Sequence, residues 1–494
     1  MREHILKLES ISKKLEISSE QRAKWNKGIQ KYADDFLDNI DSKPAFEYGK
    51  TGEDLLNLPF GKEPKSLDDL IKILKENVDS VALNPASGGH IAYIPGGGIF
   101  PTAMGDYLAA VMNRYAGVFF AGPGAVRIEN QLIRWMCEMI GYPEDSLGNL
   151  ASGGSIANLT AIVTARDFHN IKSKDIENAV IYLTAQVHHC VHKAIRIAGL
   201  GEAQVRHIPM DNRFRMNAEV LRETVEKDIS TGLKPFLVIG SAGTTDTGSV
   251  DPLDKIADVA ETHNLWFHID AAYGGFFVMT DIENPDGTTV KGSFKGIERS
   301  DSLAIDPHKG MFLAYGLGAV LIKNVSALME SHYYKANYMQ DAFDANEELS
   351  PADLSPELTK HFRGLRMWLP LHLYGTEPFK ACVEEKIWLT RYFYEEIQKM
   401  GFEVGPYPEL SVAIYRYIPE TGDPNEFNQK LVEHVHKDGR VFVSSTTIDG
   451  EFWIRIAILS FRTRLWTIDL YLEILREGIA KLTKETHAIE ISDS

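Results

Sequence analysis

Cysteine is scarce in this chain: there are three in 494 residues, Cys137, Cys190 and Cys382, and no two stand at CxxC spacing. That pattern offers neither a disulfide framework nor a thiolate zinc site, so no metal is expected and a reducing compartment fits. Long apolar runs are also missing. No stretch of about 18 apolar residues occurs, and the opening MREHILKLESISKKLEIS carries charge throughout, unlike a signal peptide. The expectation is a cytoplasmic protein without a membrane segment. Basic residues are in deficit, 52 Lys plus Arg against 69 Asp plus Glu, for a net charge of −17. Such a surface repels phosphate backbones, which argues against a nucleic-acid partner, while one local pocket for a single phosphate stays compatible with it. Low-complexity tracts and fixed-period repeats are absent as well.

What is present is an ordinary globular composition, 44% hydrophobic and 24% charged, in a chain long enough for two or three packed domains. Residues 1–90 are charged, with helical periodicity at 18–40 and 66–80, and predict an N-terminal helical arm. Beyond them, strands predicted at 179–185, 235–243, 265–272, 302–308 and 318–324 alternate with helices at 155–168, 188–198, 216–229 and 253–263. That alternation predicts an α/β domain over 91–375 with a mostly parallel sheet covered on both faces, and ligand sites at the carboxyl ends of its strands. A long helix at 376–400 and an α+β texture after it predict a small C-terminal domain, 376–494.

Four features fall at predicted strand ends. Asp306-Pro307-His308-Lys309 closes one strand ahead of a Gly-rich apolar segment. A lysine there is partly desolvated, which lowers its pKa and frees the amine to add to a carbonyl. His268-Ile269-Asp270-Ala271-Ala272 closes another, and its two alanines leave room for a flat ring beside the carboxylate of Asp270. Asp270 would keep a pyridine nitrogen protonated and so make the ring an electron sink. Ser152-Gly153-Gly154-Ser155-Ile156-Ala157-Asn158 leads small residues into a helix, a phosphate site in which Ser155 donates a hydroxyl and the helix N-terminus favours an anion. His188, just after the strand ending at Ala185, faces the same crest and suits stacking over a ring.

Together with Ala92-Tyr93-Ile94-Pro95, Gly243-Thr244-Thr245, Gly248, Asp251, Arg366-Met367-Trp368 and Phe452-Trp453-Ile454-Arg455, these motifs make residues 90–465 resemble the group II pyridoxal-dependent decarboxylases. DPHK with HIDAAYGG is the most specific part. The resemblance implies a type I pyridoxal-phosphate-dependent transferase fold, pyridoxal 5'-phosphate as cofactor, and a homodimer whose N-terminal arms embrace the partner. It implies Lys309 as the Schiff-base lysine, Asp270 on the pyridine nitrogen and His188 stacked on the ring. Gly154, Ser155 and His308 would lie near the phosphate, with Thr245 and Ala272 lining the ring. In the polar segment 333–350 it implies Tyr338 as proton donor on a covering loop, where tyrosine rather than phenylalanine favours amine over aldehyde. This sequence departs from the family at Ile156, where many members carry Glu, and at Gly96 and Gly310, where animal aromatic enzymes carry Thr and Trp. Both glycines are expected near the pocket.

Tyr93, Ile94 and Phe119, with Phe120 beside it, predict an apolar pocket and hence an aromatic L-amino acid, decarboxylated to its amine and carbon dioxide. An acidic substrate with Arg127 as counter-charge, a basic substrate, and a carbon–carbon lyase or aminotransferase are the alternatives, since Lys309 and Asp270 serve those reactions too.

Overall fold

The computed structural model describes residues 1–60, 63–333 and 348–493. Tyr338 lies outside the described residues. The chain begins with helices α1 (Arg2–Ser12), α2 (Ser19–Asp38), α3 (Glu53–Leu56) and α4 (Leu67–Asn77), and a two-stranded ribbon of β1 (Phe46–Glu47) and β2 (Ala82–Leu83). Ser18 and Ser66 cap α2 and α4 by accepting the N–H of Gln21 and Asp69. Neither helix buries a residue in this chain, nor does α1.

A seven-stranded sheet follows, entered through α5 (Phe100–Met112) and α6 (Pro123–Ile140). Its strands and helices run β3 (Leu147–Ala151), α7 (Gly154–Phe168), β4 (Ala179–Leu183), α8 (His189–Ile197), β5 (Gln204–His207), α9 (Ala218–Ser230) and β6 (Lys234–Ser241). Then come α10 (Leu253–His263), β7 (Trp266–Asp270), β8 (Ser302–Ile305), α11 (Pro307–Gly310), β9 (Gly318–Ile322) and α12 (Val325–His332). The spatial order is β3-β9-β8-β7-β6-β4-β5. Only β9 runs against its neighbours, so the expected mostly parallel α/β sheet is what forms. Every residue of β3, β4, β7, β8 and β9 is buried. Side chains alternate across a strand, so burial of all of them means that both faces are covered.

Helices α13 (Leu365–Tyr374) and α14 (Glu377–Lys399) lead to a four-stranded antiparallel sheet ordered β10-β11-β13-β12, from β10 (Phe402–Val404), β11 (Val412–Tyr417), β12 (Ser444–Ile448) and β13 (Glu451–Ala457). Helices α15 (Pro424–Asp438) and α16 (Leu465–Asp493) contribute to its separate core. One helix joins the two cores: Phe379, Val383 and Ile387 of α14 belong to the first, Leu389, Phe393 and Ile397 to the second. Ile91 also sits in the second core, and its carbonyl accepts the Ala457 N–H at 2.8 Å. Among the described residues, no helix is long and apolar enough to cross a membrane, and no cluster of His, Cys, Asp and Glu is arranged to hold a metal.

Candidate active site

The carboxyl ends of β6, β7 and β8 open with the N-termini of α7 and α8 onto a cavity of about 400 Å³, a size that suits a small ligand. Lys309 reaches it from α11. The tight turn Asp306-Pro307-His308-Lys309 is closed by Lys309 N–H donating to the Asp306 carbonyl at 2.9 Å. His308 is pinned by its own N–H and its Nδ1, which bond the Leu317 carbonyl at 3.1 and 2.7 Å. Nδ1 therefore carries the hydrogen.

The electrostatics of Lys309 differ from the sequence expectation. Burial pulls its pKa down, yet the carboxylates of Asp306, 3.1 Å from Nζ, and Asp270 outweigh burial, and the net direction is upward. The amine is held charged, not freed. Asp306 was in plain view within the tetrapeptide, three residues before the lysine. It is 2% exposed, and its Oδ1 accepts no hydrogen bond among the described residues.

Asp270 ends β7, 8% exposed. Its Oδ1 accepts the Ala272 N–H at 3.1 Å and its Oδ2 the Asn158 Nδ2–H at 3.2 Å, which commits both oxygens to fixed positions. Ala272 and Thr245 also line the cavity. His188 N-caps α8, its Nδ1 accepting the Cys190 N–H at 3.3 Å, and burial lowers its pKa, which keeps the imidazole neutral. His308 is likewise lowered by burial. Ser152, Gly153, Gly154 and Ser155 form the lip where α7 begins. A Cβ on Gly154 would meet the Ala272 Cβ and Asp306 Oδ2, each at 3.1 Å, a crowding that glycine avoids where this turn approaches the two strand ends.

Of the residues expected at the substrate, Tyr93 and Ile94 line the cavity, and Ile94 holds φ +56°, a conformation that a β-branched side chain rarely adopts. Phe119 does not line it. Its buried ring lies 5.1 Å from the Arg127 guanidinium, which is mostly exposed and 3.6 Å from Glu348. Arg127 therefore does not point into the cavity. Gly96 and Gly310 do not line it either: a Cβ on Gly96 would stand 2.3 Å from the His308 carbonyl, and one on Gly310 2.8 Å from the Phe276 Cβ. Gly96 answers to the backbone of the lysine turn and Gly310 to the Phe276 side chain packed behind it.

Three further groups were not singled out in the sequence for this site. Arg455 of β13 donates from Nε to the Thr245 carbonyl at 2.8 Å and from Nη1 to the Ala92 carbonyl at 2.6 Å, tying two wall segments to the second sheet. Gln186 accepts from Thr247 at 2.7 Å, joining the His188 turn to the loop of Thr245. Asn158 bridges Asp270 to α7, bonding the Gly154 carbonyl at 2.9 Å as well. Arg455 and Asn158 stood within quoted motifs, but nothing in sequence marks which groups they reach.

These residues fit pyridoxal phosphate. An amine able to bond covalently, a carboxylate whose oxygens are already aimed, and a glycine-lined helix N-terminus for an anion all face one volume. The sequence matches the family described as "Pyridoxal-dependent decarboxylase conserved domain" over residues 50–417. It is 31% identical over 468 residues to an aromatic-L-amino-acid decarboxylase of Bacillus atrophaeus, covering 92% of this chain and 94% of the relative. It is 26% identical over 483 residues to tryptophan decarboxylase 2 of Oryza sativa subsp. japonica, covering 94% and 96%. The fold matches the crystal structure of Oryza sativa TDC with PLP and tryptamine at a TM-score of 0.88 and 24% identity, covering 94% of this chain and 99% of that one. The fold is thus that of the type I pyridoxal-phosphate enzymes. Within that class, the chain belongs to the pyridoxal-dependent decarboxylase family and is a pyridoxal-phosphate-dependent amino acid decarboxylase.

Proposed function

We propose that this enzyme converts an aromatic L-amino acid to its amine and carbon dioxide, with Lys309 carrying the cofactor and Asp270 serving its ring nitrogen. The observation that carries the reading is one cavity in which the Lys309 amine, the Asp270 carboxylate and the start of α7 face one another. When bound, the cofactor supplies an electron sink for the electron pair left behind by the departing carbon dioxide.

The chain's own groups then have distinct duties. Asp270, its oxygens oriented by two N–H donors, would hold a proton on the ring nitrogen through its negative charge. His188, neutral, covers a ring face without adding charge. Gly154 and Ser155 offer the first N–H groups of α7, which lack partners within a helix, and its dipole favours the phosphate; His308 stands beside them. Thr245 and Ala272 line the ring. Lys309 holds a proton at Nζ, and as the free amine it would be the residue that holds the cofactor covalently. Tyr338 is proposed as donor of the final proton to the α-carbon, on the resemblance of its sequence context alone.

The apolar wall of Tyr93 and Ile94 supports an aromatic side chain, as do the names of the two sequence relatives. The outward direction of Arg127 leaves an acidic side chain without that counter-charge. Phe119 enters the reading only as support behind the segment that holds Arg127. We also propose the three-part division 1–90, 91–375 and 376–494, a homodimer, and a reducing cytoplasmic location, the last supported by three unpaired cysteines. The test of substrate is a panel of the twenty amino acids with the loaded enzyme, reading amine and carbon dioxide. Turnover of tryptophan, tyrosine or phenylalanine at least about tenfold above that of glutamate and lysine supports the reading, since a matched pocket discriminates by that much. Preference for a charged substrate, or keto acid in place of amine, overturns it.

A further inference from the structure

Strand β7 lays Trp266, His268 and Asp270 on one face, since side chains two apart point the same way. The first two belong to a buried chain of hydrogen bonds that ends on the third. Trp266 Nε1–H donates to Ser302 Oγ at 2.8 Å, and an indole nitrogen only donates. Ser302 Oγ also lies 2.8 Å from His268 Nδ1, to which its hydroxyl donates when the ring hydrogen sits on Nε2. That N–H points at Asn158 Oδ1, at 2.7 Å. With its oxygen so engaged, Asn158 must turn its NH₂ toward the Gly154 carbonyl and Asp270 Oδ2. His268, Asn158 and Ser302 are all 0% exposed, and burial pushes the His268 pKa down to about 4, so the ring stays neutral; the Gly154 carbonyl and Asp270 carboxylate claim the Asn158 NH₂, which leaves its oxygen for His268 Nε2–H and sets the tautomer.

We propose that His268 and Asn158 are positioning residues for this reaction: the relay from Trp266 through Ser302 locks the Asn158 amide so that it holds the Asp270 carboxylate in register with the phosphate turn. This rests on the reading of Asp270 given above. Reversal of the amide would set its oxygen against both the Gly154 carbonyl and the Asp270 carboxylate, which oppose it from one side while the His268 N–H opposes it from the other. The pattern differs from simple core packing, because an apolar side chain at 268 fills the same space without fixing the amide.

The test compares His268→Leu, His268→Gln and Asp270→Asn as loaded enzymes, reading kcat, KM and the visible absorbance of the bound cofactor. His268→Leu should lose about tenfold or more in kcat with KM within about threefold, the size expected when a supporting hydrogen-bond partner is removed, and should shift the absorbance band. His268→Gln, which presents an amide N–H at similar reach, should recover most of both. In the Asp270→Asn background the His268→Leu loss should shrink to nothing, because the relay acts only through that carboxylate. Parental kcat and absorbance in His268→Leu, or a Gln variant as defective as Leu, overturns the proposal. Should the Leu variant not fold, Ser302→Ala removes a single hydroxyl and must show the same absorbance shift; an unshifted band overturns the relay. An Asp270→Asn enzyme within about threefold of the parent instead overturns the role of Asp270 itself, a separate failure.

Discussion

Lys309 begins with its amine protonated, and under the attachment proposed above that would set how the protein takes up its cofactor. The neighbouring Asp306 and Asp270 overcome burial and raise its pKa above the ordinary 10.5, so at neutral pH almost no free amine is present. Attack on a carbonyl needs the free amine. Below the pKa its fraction grows about tenfold per pH unit, so uptake of pyridoxal phosphate by the cofactor-free protein should accelerate with pH from about 7 to 9. Asp306→Asn removes one stabilising charge and should speed uptake at pH 7. Stopped-flow absorbance measures both; a rate flat in pH, with the Asn variant no faster, contradicts the ion pair's control. At this scale the motifs were legible but their electrostatics were not. DPHK displayed the lysine and its carboxylate together, yet whether burial or the carboxylate prevails depends on a 3.1 Å separation that no spacing rule supplies. His268 was legible only as a strand residue; its period-2 spacing with Trp266 and Asp270 was the signal available.

The helices of the first ninety residues and α5 present apolar side chains to solvent that a single chain leaves uncovered. Ile5, Leu8 and Ile11 of α1, Trp25 of α2 and Met104, Tyr107 and Val111 of α5 are all exposed. An isolated 11-residue helix such as α1 is marginal in water, so its order calls for a surface to bury it. We propose a second copy of the chain as that surface. Sedimentation of the loaded enzyme should give twice the chain mass of 55.3 kDa, and Leu8→Glu with Ile11→Glu should shift the equilibrium toward monomer, each charge forfeiting roughly 1.5–3 kcal/mol of burial. A monomeric parent, or a double variant that dimerises as tightly, argues against the arm. The buried strands were readable as apolar runs. Edge strands β3 and β5 were not: β3 contains Gly148, whose added Cβ would lie 1.8 Å from the Val320 carbonyl, and β5 is only half-buried, with no apolar run to mark it. Packing chose glycine there against local strand propensity.

Over the whole molecule, two sheets with separate cores share one site wall. Arg455, 3% exposed, reaches from the second sheet to the carbonyls of Thr245 and Ala92, while Gly248 at φ +74° brings the Thr245 loop against Val412. The texture change after 375 was visible in sequence, but contacts between 92, 245 and 455 are long-range and leave no local trace. Everything in the account turns on Lys309 as the point of covalent attachment. Borohydride reduction of the loaded enzyme followed by peptide mass mapping tests that claim directly. The account predicts a single pyridoxyl-phosphate adduct on Lys309, lost in Lys309→Ala; an adduct on another lysine, or its persistence in the alanine variant, would contradict it.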